Sequence, residues 1–361
     1  MLPIAMALAF MSAPSPFVAH RAVRPSTSTA FASRQRPTAT EPGSQQTATS
    51  APAGYATYVY PAPPRGFNPL TATAAQLAAY GLPQRPAPGP ALGMWTQAMR
   101  DITHYVSGAS RRLSAPSALV PAGQVGNTGD INWFGYQVNS NSNGNATFDA
   151  VYGSWTVPAI AGNSHYGSFS APGSWSDPSV AVWAGIGGGQ GSSDIVQAGT
   201  ISTATTVPSY HFVTEDAGYP YPGPGGEYPN PQGPVVYGGD TVYVQVSWSG
   251  GYGNFFLENE STGAAQSVSD SYPYFQSVSA ECEGEWPGVP GGGYEAYLPR
   301  FSNDTVAGCA TSYDGSRYDS AISQMNYIRS YLYNHANGSL MAYPYSMQSN
   351  GNFVLHWRLG T

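Results

Sequence analysis

The chain has 361 residues, of which 9% are charged and 13% aromatic, and it contains 43 Gly and 32 Pro. This composition is typical of turns and β-structure, and 41% apolar residues are enough for one sizeable core. Beyond the N-terminal run, no segment reaches the roughly 20 apolar residues that a membrane-spanning helix needs, so we expect no membrane partner.

The charge is distributed unevenly along the chain. All 13 basic residues are Arg; residues 1–129 contain nine Arg and two acids, whereas residues 130–361 contain four Arg and 18 acids. Like charges in a Pro/Ala/Ser-rich segment are typical of tails, so we do not expect a nucleic-acid partner. We expect the basic segment to bind the acidic body near neutral pH and to be released when carboxylates protonate below about pH 4, as an inhibitory propeptide would be.

The first 129 residues are predicted to form a leader. Residues 1–25 begin with an apolar run that resembles a secretory signal without its positively charged start, which indicates a secreted, extracellular protein. Residues 26–129 have the composition of a flexible propeptide with short helices. Thr73 and Gln76 have capping-box spacing and predict a helix to residue 80, and a second helix is predicted over 94–106.

Residues 130–361 are predicted to form one domain of the all-β class, large enough to be a catalytic domain. Short runs of alternating aromatic and β-branched residues are separated by Gly, Pro, Asn and Ser, and a helical pattern occurs only at 319–333. This texture predicts an antiparallel two-sheet β-sandwich of the jelly-roll, concanavalin-like type. The clearest strands are predicted at 148–157, 180–186, 241–248, 255–259 and 353–358.

One predicted strand carries three carboxylates. In the run Ser-Ala-Glu-Cys-Glu-Gly-Glu at 279–285, Glu281, Glu283 and Glu285 would share one face, which we expect to face water or a cleft. Such a row also suits a retaining glycosidase, in which two carboxyl groups lie about 5 to 5.5 Å apart. A carbohydrate-active or carbohydrate-binding jelly roll is therefore the alternative function.

Several short blocks across 131–361 occur in the same order as in the glutamic peptidases, the eqolisin family, and the chain resembles that family in them. The blocks are Asn-Trp at 132–133, Phe-Asp at 148–149, Val-Pro at 157–158, Trp-Ala-Gly-Ile-Gly-Gly at 183–188, Ile-Val-Gln-Ala-Gly at 195–199, Tyr210 with Glu215, Leu-Glu-Asn at 257–259, Thr-Gly at 262–263 and Ala-Glu-Cys-Glu-Gly-Glu at 280–285.

The resemblance implies an acid-acting endopeptidase with polypeptide substrates and no cofactor or metal. The family's catalytic Gln falls on Gln197, and reading its catalytic Glu as the second acid of Ala-Glu-x-x-x-Glu places it at Glu285. A competing register places Val289 at that position and leaves no acid. Glu285 would take a proton from the attacking water, and Gln197 would donate an N–H to the oxyanion.

Four further residues are predicted to bind substrate: Trp183, Glu215, Tyr219 and Glu281. Trp183 and Glu215 match family positions, Tyr219 would replace a family tyrosine after a two-residue shift, and Glu281 lies beside the proposed base. Cys282 is out of phase with the glutamates and could pair with Cys309 in an oxidising compartment, although two buried thiols are the alternative. We expect a monomer that binds its own basic propeptide.

Overall fold

The computed structural model describes residues 47–49, 57–106, 133–160, 178–189, 192, 194–204, 207–217, 228–229, 233–272, 275–287, 298–333 and 338–358, which all belong to one compact unit, 44–361. The predicted signal segment 1–25 lies outside them. Within these ranges, no helix has the length and apolar character needed to cross a membrane.

The leader contains two helices and three short strands. The capping box is present, with the Thr73 side chain accepting from Gln76 N and the Gln76 side chain accepting from Thr73 N. The second helix begins at Pro90, because Pro is favoured in the first helical turn, and ends at Asp101. The leader elements are β1 (Thr47–Thr49), β2 (Thr57–Val59), α1 (Ala74–Ala79), α2 (Pro90–Asp101) and β3 (His104–Tyr105).

The body is built from strands, and the five strands predicted from alternation are confirmed with small changes at their ends. The predicted helical pattern at 319–333 is wrong, since the structure forms short strands there around one turn of 3-10 helix. The body strands are β4 (Trp133–Asn139), β5 (Phe148–Thr156), β6 (Ser179–Gly187), β7 (Ile195–Thr203), β8 (Ser209–Ala217), β9 (Tyr228–Pro229), β10 (Thr241–Ser249), β11 (Tyr252–Asn259), β12 (Ala264–Ser271), β13 (Ser279–Glu285), β14 (Asp304–Tyr313), β15 (Tyr318–Ala321), β16 (Tyr327–Arg329), β17 (Leu332–Tyr333), β18 (Leu340–Pro344) and β19 (Phe353–Trp357).

The strands form two sheets, so the predicted two-sheet β-sandwich is confirmed. Sheet A has the order β1-β2-β12-β11-β10-β5-β14-β19-β18-β17, with β3 beside β12 and β15 beside β14. Sheet B has the order β16-β4-β13-β6-β7-β8-β9. Neighbouring strands are antiparallel except for β3 and β12, which are parallel.

The core lies between the two sheets and receives alternate side chains from each. It contains large buried side chains such as Phe134 and Phe212 from sheet B and Trp155 and Phe255 from sheet A. Two links join the sheets within this layer. The Trp155 indole donates to Thr200 Oγ1 at 3.0 Å, and a disulfide connects Cys282 on β13 to Cys309 on β14.

The leader helices pack on the other face of sheet A. Leu77 and Trp95 are 1% exposed, and they form a second apolar cluster with sheet A residues that include Tyr152 and Phe256. The Trp95 indole also donates to Pro83 O at 3.0 Å. The prediction of a flexible leader is therefore wrong for residues 60–106, because this segment buries enough apolar surface to hold itself against the sandwich.

Candidate active site

Five residues of sheet B form one row across five neighbouring strands. Strand register places Gln137 on β4 opposite Glu281 on β13, Glu281 opposite Gly185 on β6, Gly185 opposite Gln197 on β7, and Gln197 opposite Glu215 on β8. Directly opposed residues point to the same side of a sheet, and this side is the one away from the core. The row brings two carboxyl groups and two amides together.

Gly185 separates Glu281 from Gln197 without a side chain of its own. A Cβ added at Gly185 would lie 2.9 Å from Gln197 Cβ, 2.9 Å from Glu281 Oε1 and 3.4 Å from Gln197 Oε1. The space above this glycine is therefore shared by the Glu281 carboxyl and the Gln197 amide. A larger residue would push these two groups apart.

Glu215 fixes the orientation of Gln197. The Gln197 Nε2 donates to Glu215 Oε2 at 2.6 Å, and both side chains are buried. Burial raises the pKa of Glu215 to about 7, against which the hydrogen bond from Gln197 acts. Glu215 is therefore neutral in acid, and the second N–H of the Gln197 amide remains available for a ligand.

Glu281 is the most buried acid of the row, at 1% exposure. Within the described part of the chain, neither of its carboxyl oxygens has a hydrogen-bond partner of ordinary geometry. Burial raises the pKa of Glu281 well above its usual value, and the Ser279 hydroxyl two residues earlier opposes part of that rise. A carboxyl in such a place ionises only when hydrogen-bond donors reach its oxygens.

Glu283 and Glu285 share the face of Glu281 but lie in other rows. Glu283 is opposite Trp183, and Glu285 is opposite Ala181 and Trp133. Glu285 is four residues from Glu281, about 13 Å along the strand, and so does not adjoin Gln197. The predicted pairing of Gln197 with Glu285 does not fit this register; among the acids of β13, Glu281 is the one in the row of Gln197.

Of the two expected surroundings of the three glutamates of β13, water or a cleft, the structure excludes open water. They are 1%, 2% and 7% exposed in chain order, on a central strand between β4 and β6. The Ser330 hydroxyl donates to Glu283 Oε1 at 3.3 Å. The acidic face is therefore an enclosed part of sheet B and not a solvated edge.

Trp183 lies one row from the Glu281–Gln197 pair on the same face. It is 1% exposed and packs with Ala181, Ile201 and Val213, and its indole N–H has no partner among the described residues. This apolar cluster borders the polar row. Tyr219, the remaining predicted substrate residue, lies outside the described residues.

Sequence reasoning missed two members of the row. Gln137 is a polar residue on the outer face of a fully buried strand, and that break in the pattern was the available signal. Gly185 carried no signal, because its role depends on the register between β6, β7 and β13. In the described ranges, no group of three or more His, Cys, Asp and Glu residues could hold a metal ion.

The sequence model of the Peptidase A4 family matches residues 131–335. No curated protein matches the chain. Three solved structures resemble it in fold. Scytalido-glutamic peptidase with a transition state analog inhibitor is 18% identical, with 63% of this chain and 98% of that chain covered and a TM-score of 0.48.

The other two structures are SCP-B and an enzyme from Aspergillus niger. SCP-B, a member of the eqolisin family in complex with the tripeptide Ala-Ile-His, is 18% identical, with 63% and 98% covered and a TM-score of 0.44. Aspergilloglutamic peptidase from Aspergillus niger is 19% identical, with 50% and 100% covered and a TM-score of 0.40.

Proposed function

Because the chain belongs to the Peptidase A4 family and is a glutamic peptidase, we propose that it is a secreted endopeptidase that cleaves polypeptides in acid, with Glu281 and Gln197 as its catalytic residues. The observation that carries this assignment is the shared space of the Glu281 carboxyl and the Gln197 amide above Gly185. It replaces Glu285 by Glu281 as the base.

In the proposed reaction, a water molecule binds between Glu281 and the scissile carbonyl. The ionised carboxylate of Glu281 takes a proton from this water while its oxygen attacks the carbonyl carbon. The carbonyl oxygen becomes an oxyanion, which accepts the second N–H of the Gln197 amide. When the C–N bond breaks, Glu281 returns the proton to the leaving amine, and the two products are a carboxylic acid and an amine.

The pKa of Glu215 supports action in acid. Below about pH 7 Glu215 is neutral, so the row has one negative charge fewer while Glu281 works. The amide of Gln197 keeps its protons over the whole acidic range, unlike a His donor. Water and substrate that enter the row would supply the hydrogen bonds that favour the ionised form of Glu281.

Secretion and synthesis as a proenzyme are further parts of the proposal. The apolar N-terminal run and the disulfide in the core support an oxidising, extracellular location. The described part of the leader packs on sheet A, whereas the catalytic row belongs to sheet B. We therefore assign residues 60–106 a stabilising role and restrict any inhibitory role to other parts of residues 1–129.

Hydrolysis of a protein substrate in acid tests the assignment. Glu281→Gln and Gln197→Ala should each abolish cleavage, whereas the matched variant Glu285→Gln should retain it. If Glu285→Gln abolished cleavage and Glu281→Gln did not, the base would be misassigned. If Gln197→Ala were harmless and Glu283→Gln removed all hydrolase activity, the carbohydrate-active alternative would be supported.

A further inference from the structure

Gln137 borders Glu281 on the side away from Gln197. The two residues are directly opposed on β4 and β13, where Cβ atoms of antiparallel neighbours lie about 4.5 to 5.5 Å apart. Glu281 is therefore flanked by two glutamines, one on the adjacent strand and one across Gly185. The flanking residues Tyr136 and Val138 point into the core, so Gln137 is the member of this part of β4 that faces the site.

The amide oxygen of Gln137 makes no hydrogen bond within the described part of the fold. The side chain is 8% exposed, and its Oε1 has no hydrogen-bond partner among the described residues. Buried amides normally find partners, as Gln245 does on sheet A, where its Oε1 accepts from the Tyr243 hydroxyl at 3.1 Å. An amide oxygen without a partner beside a carboxyl whose oxygens lack a hydrogen bond of ordinary geometry points to a group that acts during the reaction.

Gly189 confines the Gln137 amide to this place. A Cβ at Gly189 would lie 2.5 Å from Gln137 Oε1 and 2.8 Å from Ser279 Oγ, so the glycine backbone packs against both groups. The Gly189 N–H donates to Ser279 Oγ at 3.0 Å, which fixes the turn over the end of β13. These contacts keep the Gln137 amide at its end of the row, next to Glu281.

We propose that Gln137 is a positioning residue for Glu281, an inference that rests on the proposed function. The Gln137 Nε2–H donates to the carboxylate of Glu281 when it is ionised. After Glu281 has taken the proton from water, Gln137 Oε1 accepts the resulting O–H. An amide contains both a donor and an acceptor, so it serves the base and the acid form of Glu281 in turn.

This assignment gives a direction for the pH profile. The ionisable groups on the face of Glu281 include Glu283 and Glu285 on its own strand and Glu215 across the row, and Ser279 supplies a hydroxyl two residues away. Hydrogen bonds to a charged carboxylate are stronger than those to a neutral carboxyl. Gln137 therefore favours the ionised form of Glu281, and an apolar residue in its place should move the acid limb to higher pH.

The experiment measures kcat and KM of Gln137→Leu, Gln137→Glu and the control Gln245→Leu on one peptide substrate. The pH range is about 2 to 7, which is centred on the usual pKa of a carboxyl group. Gln137→Leu should lower kcat about 10- to 100-fold with little change in KM, the loss expected when a hydrogen bond to a charged group is removed, and should move the acid limb to higher pH. Gln137→Glu should recover activity only at low pH, where its protonated carboxyl has both a donor and an acceptor. Gln245→Leu should lower the unfolding temperature and leave the acid limb in place.

The result that overturns the inference is an unchanged kcat and an unchanged acid limb in Gln137→Leu. If Gln137→Leu does not fold, a Gln137→Glu profile identical to that of the wild type has the same meaning. Glu281→Gln, measured alongside, separates the two levels. Full activity in Glu281→Gln would refute the proposed function, whereas an inactive Glu281→Gln with a normal Gln137→Leu would refute the positioning role alone.

Discussion

Asp319 on strand β15 of the body accepts a hydrogen bond from the backbone N–H of Ala91 in leader helix α2, with 3.0 Å between Oδ2 and N. The N-cap of that helix is Gly89, which has no side chain to supply the bond. The body therefore caps a helix of the leader. This contact and the apolar cluster around Trp95 hold the two parts of the chain together.

Removal of this cap should destabilise the protein without affecting the catalytic row. We expect Asp319→Ala to lower the free energy of unfolding by about 0.5 to 2 kcal/mol, the usual cost of losing an N-cap. Asp319→Asn should lose much less, since its amide oxygen can still accept from Ala91. Urea unfolding of the three proteins checks this, and equal stability of Asp319→Ala and the wild type would contradict it.

Glu258 should make the protein more stable in acid than at neutral pH. It is fully buried beneath the leader, and burial, then Glu260 and Asp101, raises its pKa to about 9. A group whose pKa is raised on folding stabilises fully below its unfolded pKa, and this contribution is lost as the pH rises through the folded value. Glu258 alone should lower the free energy of unfolding by up to about 1.4 kcal/mol per pH unit between about pH 4 and 9.

Thermal unfolding of the wild type and Glu258→Gln at pH 4, 6 and 8 measures this effect. The loss of stability with pH should be smaller in the variant, because an amide does not titrate. Burial also raises the pKa of Asp319 to about 6, against the opposing effect of the N–H groups of Ala91 and Leu92, so burial of both carboxyl groups favours a docked leader in acid. This direction is opposite to the acid release expected from net charge. Dissociation of residues 57–106 at pH 4 but not at pH 8 would show that the net charge dominates.

Gly185→Ala should lower activity while the fold is kept. The new methyl group would lie 2.9 Å from both Gln197 Cβ and Glu281 Oε1, so these groups must move apart by a few tenths of an ångström or more. Misplacement of catalytic groups on this scale and up to 1 Å costs up to about 100-fold in rate. Gly93→Ala is the control, since no atom lies within 4 Å of its added Cβ and it sits in α2. A fully active Gly185→Ala would show that the shared space is not needed.

Glu215 should set the upper pH limit of activity. Its pKa of about 7 means that it ionises as the pH rises through neutrality, and the new charge opposes both the ionisation of Glu281 and the oxyanion. We expect kcat/KM of the wild type to fall above about pH 7 and that of Glu215→Gln to fall less. The pH profiles of the two proteins test this. Identical alkaline limbs would assign that limb to another group.

The disulfide between Cys282 and Cys309 closes a segment of 27 residues and joins the two sheets. We expect Cys282→Ala/Cys309→Ala to lose about 3 to 4 kcal/mol of stability, the range for a loop of this length. Chemical denaturation of the double variant and of the wild type with and without reductant gives the value. If reductant destabilised the double variant as much as the wild type, the loss of stability would not come from this disulfide.

The sequence predicted those features that depend on neighbouring residues within one strand or helix. Alternation located the strands that contain Trp155, Trp183 and Phe255, and capping chemistry located α1, because these signals are local. Alternation leaves the three glutamates of β13 equivalent, and the family motif selected Glu285 among them; the register with β6 favours Glu281 instead. That register pairs Glu281 with Gly185.

Two other predictions differ from the structure because contacts between distant segments determine the fold there. The spacing of apolar residues over 319–333 resembles a helix, but Ala321 pairs with Ala310 and Tyr327 with Val138, and these sheet contacts outweigh local preference. The leader reads as a flexible segment from its Pro and Ala content. The 12 residues of α2 nevertheless bury Trp95 and Met99 on a surface that the sequence places more than 40 residues later.

Because the leader packs on sheet A, the folded unit extends beyond the segment that matches the family. The family match begins at residue 131, but Tyr152, Tyr243 and Phe256 on the outer face of sheet A are covered by residues that precede residue 107. A protein truncated at residue 131 would expose these aromatic rings to water as an apolar patch prone to aggregation. Recombinant production should therefore start upstream of Thr57, and variants that only weaken leader docking should show self-association before they show any loss of hydrolysis.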